Sequence, residues 1–360
     1  MSTIYDVARR AGVSPKTVSR VLNGDAQVRK DTRKAVEAAM GVLDYVPSSA
    51  ARTLRSNRSG LIGLITGAIS HFDTNEGPAG LPDLILVQAI QRGISPSGRT
   101  LMIADTGGDP DRVAPLVRTF SQHRVDGLVY VADYHREVSL PKFEGDCPVV
   151  LVNCFDALGT PAIVPDDRSG QRDLVGALIR NGHRRIGFLT LPEDLIAARI
   201  RLQGYHDALD AAGLDLDPAL VVSGYLDGPD GDSGKLWQAI DRLLDLPDPP
   251  SVLCCGNDAM AMRVYGILRT RGLRVPEDIS VAGYDNHRTI AETLFPPLTT
   301  VELPYSEMGA QAGALLLSLI AGEDDASAAP RKVAGSVFWR DSVTGGPDNR
   351  SSRTKGRKIA

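Results

Sequence analysis

Residues 3–23 read Thr-Ile-Tyr-Asp-Val-Ala-Arg-Arg-Ala-Gly-Val-Ser-Pro-Lys-Thr-Val-Ser-Arg-Val-Leu-Asn, a stretch with two helix starts separated by one tight turn. Thr3 followed by Asp6 at the N3 position is a capping-box pattern, after which Ile4, Val7, Ala8 and Ala11 form one apolar face that Gly12 ends. Ser14-Pro15 signals a second start: a capping hydroxyl, then a proline at the first helical position, where a missing N–H leaves no bond unmade. The second helix is predicted from Pro15 to Leu22, closing at Asn23-Gly24. A third begins near Asp31, with Ala35, Val36, Ala39, Met40 and Leu43 turned inward. Two helices joined by a tight glycine-containing turn and braced by a third make a helix-turn-helix, whose second helix fits the DNA major groove. Val18, Val21 and Leu22 supply its buried side, leaving Pro15, Lys16, Ser19 and Arg20 free to face bases and phosphates. Arg20 is the best candidate for base reading, because a guanidinium can bond a guanine edge at two points. A three-helix packing module with ordinary solvated cations is the alternative that periodicity leaves open.

Outward from this stretch the charge changes sign. Residues 1–60 hold 11 Lys/Arg against 5 Asp/Glu, residues 61–346 hold 24 against 38, and residues 347–360 hold 5 against 1, within a formal net charge of -4. A basic end on an acidic body suggests a module that meets a polyanion, joined to one with a different task. At 360 residues the chain is long enough for two or three domains, and 42% hydrophobic with 23% charged residues is the mix of a globular protein with ample core. The best apolar run, Ala314 to Ala321, falls short of the roughly 18 residues that span a bilayer. The first residues lack the basic and apolar regions of an export signal, which points to a cytoplasmic protein without a membrane partner. Cys147, Cys154, Cys254 and Cys255 show no metal-ligand spacing and fit small buried hydrophobes; no metal or cofactor is implied.

The run Ile4–Asn23 closely resembles the opening of the LacI/GalR family of bacterial transcription regulators. The resemblance continues through Lys34-Ala-Val-Glu-Ala-Ala-Met40 and Leu43-Asp-Tyr-Val-Pro47 to Ala50-Ala-Arg-Thr-Leu-Arg55. It implies a second helix that reads the major groove through Pro15, Lys16 and Arg20, within a DNA-contacting set that includes Thr3, Tyr5, Ser14, Thr17, Ser19 and Asn23. It also implies a hinge helix at about 48–55 in the minor groove, where Leu54, between Arg52 and Arg55, wedges into the central base step. A peptide this short is marginal as an isolated helix, so the hinge should fold only with DNA and a partner subunit. Proline at 15 is less informative than a polar side chain, so base specificity leans on Lys16 and Arg20.

From Gly60 onward short apolar runs alternate with amphipathic segments. Strands are expected at 61–66, 100–105, 127–131, 149–153, 185–190, 220–223, 251–255 and 279–284, and helices at 84–95, 111–122, 169–181, 196–212, 233–246 and 259–271. This alternation means parallel α/β, as two doubly wound units with a cleft between them, and ligands sit beyond the carboxyl ends of such strands. Val125–Val129, Gly182–Phe188, Arg201–Tyr205, Gly256–Ala261, Val281–Asn286, Leu298–Val301 and Met308-Gly309 again resemble the family, whose core looks like a periplasmic sugar-binding protein. By position the resemblance places effector contacts on Arg201, Asn257 and Asp285, with Asp166 as a fourth. Carboxylates, amides and an Arg fork suit paired hydroxyls. Tyr134, Phe155 and Phe72 lie near strand ends where they could stack on a sugar ring, with core packing as the alternative for each. Arg201 has a structural ion-pair role as its alternative. Residues 68–83 depart from the family, which puts that side of the pocket in doubt.

The implied organisation is a headpiece at 1–46, a hinge at 47–59, a core at 60–345 and a disordered basic tail at 346–360. Within the core, one half takes about 60–162 and 292–322, the other about 163–291 and 323–345. The implied function is a homodimeric, sequence-specific repressor of a palindromic operator on double-stranded DNA, controlled by a small sugar-like effector. Purine-responsive regulation and a transport-type solute receptor are the alternatives. Gly231-Asp-Ser-Gly234 matches the surroundings of a trypsin-like nucleophile, and 228–235 has a faint P-loop look. Neither has the context its chemistry needs, and no catalytic constellation is found. Adjacent Asp166 and Asp167 do not make an acid/base pair, since neighbours in an extended segment point apart. His183 is expected to cap a helix end.

Overall fold

In the computed structural model, which describes residues 2–22, 25–45, 58–67, 81–141, 147–224, 234–323 and 329–347, the opening helices form where their caps place them. At the start of α1 (Ile4–Ala11), Thr3 Oγ1 accepts from the Asp6 N–H and the Asp6 carboxylate accepts from the Thr3 N–H; the helix ends on Gly12 at φ 66°. α2 (Pro15–Leu22) starts under Ser14, whose hydroxyl accepts from the Thr17 N–H at 3.1 Å. α3 (Lys30–Val42) begins with no side-chain cap at Arg29. Val7, Ala8, Val18, Val21, Val36 and Ala39 close a small core. Ala35 is exposed, contrary to expectation: it lies about 100° around the helix from Val36, beyond the narrow stripe that α3 turns to its neighbours. The hinge helix, with Arg52, Leu54 and Arg55, and also Asn23 and Phe72 lie outside the described residues.

The body runs β1 (Leu61–Thr66), α4 (Leu81–Ile94), β2 (Thr100–Asp105), α5 (Val113–Gln122), β3 (Gly127–Glu137), β4 (Val149–Phe155), β5 (Ala162–Pro165), α6 (Asp167–Arg180), β6 (Ile186–Thr190), α7 (Ile196–Ala211) and β7 (Val221–Ser223). It continues with α8 (Gly234–Leu244), β8 (Val252–Cys255), α9 (Asp258–Thr270), β9 (Ser280–Asp285), α10 (Arg288–Ala291), β10 (Thr299–Glu302), α11 (Tyr305–Ala321), β11 (Arg331–Val333) and β12 (Val337–Phe338). The strands form two six-stranded sheets, ordered β11-β5-β4-β3-β1-β2 and β12-β10-β9-β8-β6-β7, parallel except for β12 against β10. Ile62, Leu64, Val129, Val131, Val150, Val152 and Ile163 bury against α4 and α11 on one face of the first sheet. The second sheet is buried on both faces, under α8 and α9 on one side and α6 and α7 on the other.

All eight expected strands are present, and β5, β10, β11 and β12 add to them. These additions are two to four residues long, too short to show a period. α11 escapes the amphipathic reading because Met308, Ala312, Leu315 and Leu316 pack between α4 and the sheet while alanines, Ala310, Ala314 and Ala321, occupy exposed positions, so apolar residues lie on both faces.

The chain crosses between halves after Pro165, after Glu302 and after Val333, against crossings expected near 162, 292 and 323. Thr299–Glu302 must complete the second sheet beside β9 before the chain leaves, and Arg331–Val333 adds to the first sheet beside β5 before it returns. The crossings are laced together: the Asp166 N–H donates to Val333 O at 2.8 Å and the Glu302 N–H to Ser336 O at 2.9 Å. Gly335 lies so close to the Glu302 carbonyl that no side chain fits there. At the far end the Gly346 N–H donates to Asn181 O at 2.8 Å, so this first residue of the expected tail belongs to the second half.

Candidate functional site

The polar chemistry that joins the two halves begins with an irregularity in β3. Its pairing with β4 runs from Val131–Val152 straight to Arg136–Cys154, so Ala132 to His135 bulge opposite the single residue Asn153. Asn153 takes φ 59° and its amide donates to Ala132 O at 3.1 Å, which fills the bulge. Bulges re-aim side chains, and this one turns His135 toward the second half. There His135 Nδ1 lies 3.0 Å from Asp167 Oδ2, with Phe155 edge-on to the imidazole at 5.9 Å. Asp167, the first residue of α6, is 1% exposed and uses its other oxygen to accept from Arg201 Nε at 2.8 Å. Arg201, 4% exposed in the second turn of α7, also donates through Nη1 to Gly256 O at 2.6 Å and stands 3.8 Å from Asp285 Oδ1. Its guanidinium covers the Tyr284 ring at 3.6 Å. His135, Asp167, Arg201 and Asp285 therefore form one polar chain that starts on the first sheet and ends at the last residue of β9 in the second.

The electrostatics follow from burial. Desolvation pushes the Asp167 carboxyl up, but Arg201 and His135 outweigh it and hold it below its ordinary value. Burial works against the Arg201 charge and is overridden by Asp167 and Asp285. Asp285 is pushed up by burial and by the nearby Asp258 and Asp167 carboxylates, with Arg201 pulling the other way. Asp258 is fully buried at the start of α9, where its carboxylate accepts from Thr300 Oγ1 at 2.6 Å and the His287 N–H at 2.7 Å; burial still pushes it up to about 7. Asp285 and Asn286 both have positive φ, at 117° and 51°. Non-glycine strain of this kind persists where surroundings over-determine it, and it concentrates at ligand sites.

On the headpiece, Tyr5 is 66% exposed and Lys16 is exposed, while Pro15, Thr17, Ser19 and Arg20 are half-buried along the outer side of α2. Thr3 and Ser14 are exposed caps. Arg20 is not free, as expected from sequence, but paired: Nε donates to Asp25 Oδ2 at 2.7 Å and Nη2 to Gln27 Oε1 at 3.2 Å.

Residues 3–48 match the family described as bacterial regulatory proteins, lacI family, and residues 175–343 match the periplasmic binding protein-like domain. The ribose operon repressor of Escherichia coli (strain K12) is 36% identical over 324 residues, 89% of this chain and 93% of that protein. The chain belongs to the lacI family of bacterial regulatory proteins. Another LacI-family relative, the HTH-type transcriptional repressor PurR of Haemophilus influenzae (strain PittEE), is 32% identical over 327 residues, 90% of this chain and 93% of that protein. The crystal structure of the lac repressor dimer bound to operator and the anti-inducer ONPF has a TM-score of 0.74 at 27% identity, covering 95% of this chain and 99% of that one.

In this LacI-family chain the polar cluster gathers only part of the expected contact set. Arg201 and Asp285 stand together, and Phe155 reaches the same cluster through His135. Asp166 does not join them: its carboxylate caps α6 by accepting from the Ser169 N–H at 3.2 Å, and its neighbour Asp167 takes the place at Arg201. Asn257 caps α9, accepting from the Met260 N–H at 2.7 Å. Tyr134 points to the opposite side of β3 from His135, 46% exposed and under the Arg136 guanidinium. His183 caps the end of α6 as expected, its N–H donating to Leu178 O at 3.1 Å, while its ring sits between Ser251 Oγ at 2.8 Å and Thr344 O at 2.9 Å. Sequence reasoning missed His135, Asp167 and Asp258. The one available signal for the first was polar chemistry immediately after a strand, and β3 runs six residues beyond its expected end at Val131.

Proposed function

We propose that this chain is a homodimeric repressor that reads a palindromic operator on double-stranded DNA through the outer side of α2, and that a small sugar-like effector in the cleft sets its operator affinity. The observation that carries the effector reading is the Arg201–Asp167–His135 chain, with Asp285 beside it. Buried carboxylates at the start of α6 and the end of β9, with a rigid Arg fork on α7, offer donors and acceptors matched to neighbouring hydroxyls. The ribose operon repressor at 36% identity supports a sugar over a purine. Thr3, Tyr5, Ser14, Pro15, Lys16, Thr17, Ser19 and Arg20 are the DNA-facing set, and a cytoplasmic location follows from that partner. Two α2 helices related by a twofold axis read two half-sites, which is why a dimer fits the task. The effector changes the relation of the two halves, and the DNA-bound state becomes more or less populated by its differential affinity.

A thermal-shift screen of sugars and nucleosides tests this. A cleft ligand at 100 times its Kd adds about 2.7 kcal/mol of stability, and the Arg201→Met variant should lose the response. A purine hit with no sugar response would overturn the effector assignment.

A further inference from the structure

The turn between α2 and α3 does more than end a helix. A guanidinium has five N–H donors in a fixed plane. In Arg20 the Nε–H goes to Asp25 Oδ2 at 2.7 Å and Nη2 to Gln27 Oε1 at 3.2 Å, so the edge shared by Nε and Nη2 is committed. The opposite end, Nη1 with the outer hydrogen of Nη2, is the pair with the spacing of guanine O6 and N7. Asp25 is itself held from both sides. Its Oδ1 accepts from the Gln27 N–H at 2.9 Å, its carbonyl accepts from Arg33 Nη2 at 2.8 Å, and its N–H donates to Arg20 O at 3.1 Å.

We propose that Asp25 is a positioning residue for base reading: with Gln27 it grips one edge of the Arg20 guanidinium and presents the other edge for a paired bond to guanine. This rests on the reading of α2 as the DNA-facing helix. The Arg20 and Asp25 side chains keep 43% and 32% of their surface, and ion pairs that accessible contribute little to stability. What the pair supplies is orientation. A free arginine side chain loses rotamer freedom when it binds, whereas one already held in place loses less and tolerates fewer bases.

The test needs no known operator. The full-length protein, wild type and variants, is used to select duplexes from a randomised DNA pool, and affinity for an unselected duplex is measured across salt. Wild type should enrich a palindrome with one guanine per half-site that depends on Arg20, and Arg20→Ala should lose that preference alone. A bidentate contact discriminates by roughly five- to a hundredfold, and Asp25→Ala should remove most of it at that position, leaving preferences at other positions unchanged and unselected-duplex affinity no weaker. Asp25→Asn keeps one acceptor oxygen, enough for the Gln27 N–H or for Arg20 Nε but not for both, so it should fall between the two and decides the matter if Asp25→Ala does not fold. Full guanine preference in both Asp25 variants, or an even loss at every position, overturns the proposal while the regulator reading stands. A preference that Arg20→Ala leaves intact also overturns it. No enriched sequence with wild type would instead overturn the function proposed above.

Discussion

Replacing Asp167 by Asn tests whether the buried polar chain is a set of mutually required charges. The side chain is almost isosteric and keeps one oxygen for Arg201 Nε, but it removes the charge that faces Arg201 at 2.8 Å and His135 at 3.0 Å. Arg201 would keep the Gly256 carbonyl at 2.6 Å and Asp285 at 3.8 Å, in a site where it is 4% exposed. Breaking a buried ion pair by removing one partner costs about 3–5 kcal/mol, and the retained oxygen and Asp285 place this case near the lower end, about 3 kcal/mol. Both tryptophans, Trp237 and Trp339, lie in the second half with Asp167, so urea unfolding followed by their fluorescence reads this change. In a cycle with Arg201→Met the double variant should be about 2 kcal/mol more stable than the sum of single effects allows. The pH dependence has a definite sign. Asp167 is held below its ordinary value when folded, so its contribution is complete above about pH 4 and is lost as pH falls through the folded pKa. The wild type and variant should therefore converge in acid. A loss below about 1 kcal/mol at pH 7, or strict additivity in the cycle, would refute the reasoning.

Asp258 runs the opposite way: its folded pKa of about 7 lies above the unfolded value, so folded protein binds the extra proton and stability falls as pH rises from about 4 to 7. Thermal midpoints at pH 5 and pH 8 should differ in that direction for wild type, and the difference should shrink in Asp258→Asn. Gly204 in α7 faces the backbone carbonyl of Arg168 with no space for a methyl group, whereas Gly266 in α9 meets nothing within 4 Å. Gly204→Ala should destabilise the second half by about 2 kcal/mol or more through overpacking, while Gly266→Ala should be neutral or stabilising by about 0.5–1 kcal/mol. Both are measured by the same urea transition. Lys16→Ala should relax base preference at the position it reads, measured by the same selection from randomised duplexes; an unchanged preference would remove Lys16 from the base-reading set.

The headpiece is legible because its signals are local. Thr3 with Asp6, Gly12, and Ser14-Pro15 each satisfy backbone groups within four residues, so the sequence order is also the spatial order. The parallel body is legible to the extent that strands carry continuous apolar runs, as in Leu61–Thr66. The site is less so. His135 comes from a strand extension that looks like loop, and its partner Asp167 lies 32 residues away in sequence. Only the bulge opposite Asn153 brings them together, and nothing in either local sequence encodes that register. Asp166 and Asp167 show how narrow the margin is: adjacent acids at a helix start divide into a cap and an ion-pair partner by about 100° of helix rotation. Arg20 looked free because Asp25 lies in a turn, where residue spacing predicts no contact.

Asp167 stands immediately beyond the first crossing between the halves, and its two partners lie on opposite sides of that crossing, His135 on the first sheet and Arg201 on α7. The size of these bonds matters for regulation. Moving a two-state equilibrium from 1:99 to 99:1 needs about 10⁴-fold differential affinity, or about 5.5 kcal/mol. A neutral hydrogen bond, worth about 1 kcal/mol net, is too small for that, while two bonds to a charged group at about 1.5–3 kcal/mol each reach it. An effector that exchanges both Asp167 contacts for its own hydroxyls in only one arrangement of the halves therefore has enough leverage to set DNA affinity. One that binds both arrangements of the halves equally shifts nothing, however tightly it is held. Among cleft ligands, those whose binding is weakened by His135→Ala should be the ones that change operator affinity. A ligand indifferent to His135 that still switches DNA binding would show that the leverage lies elsewhere.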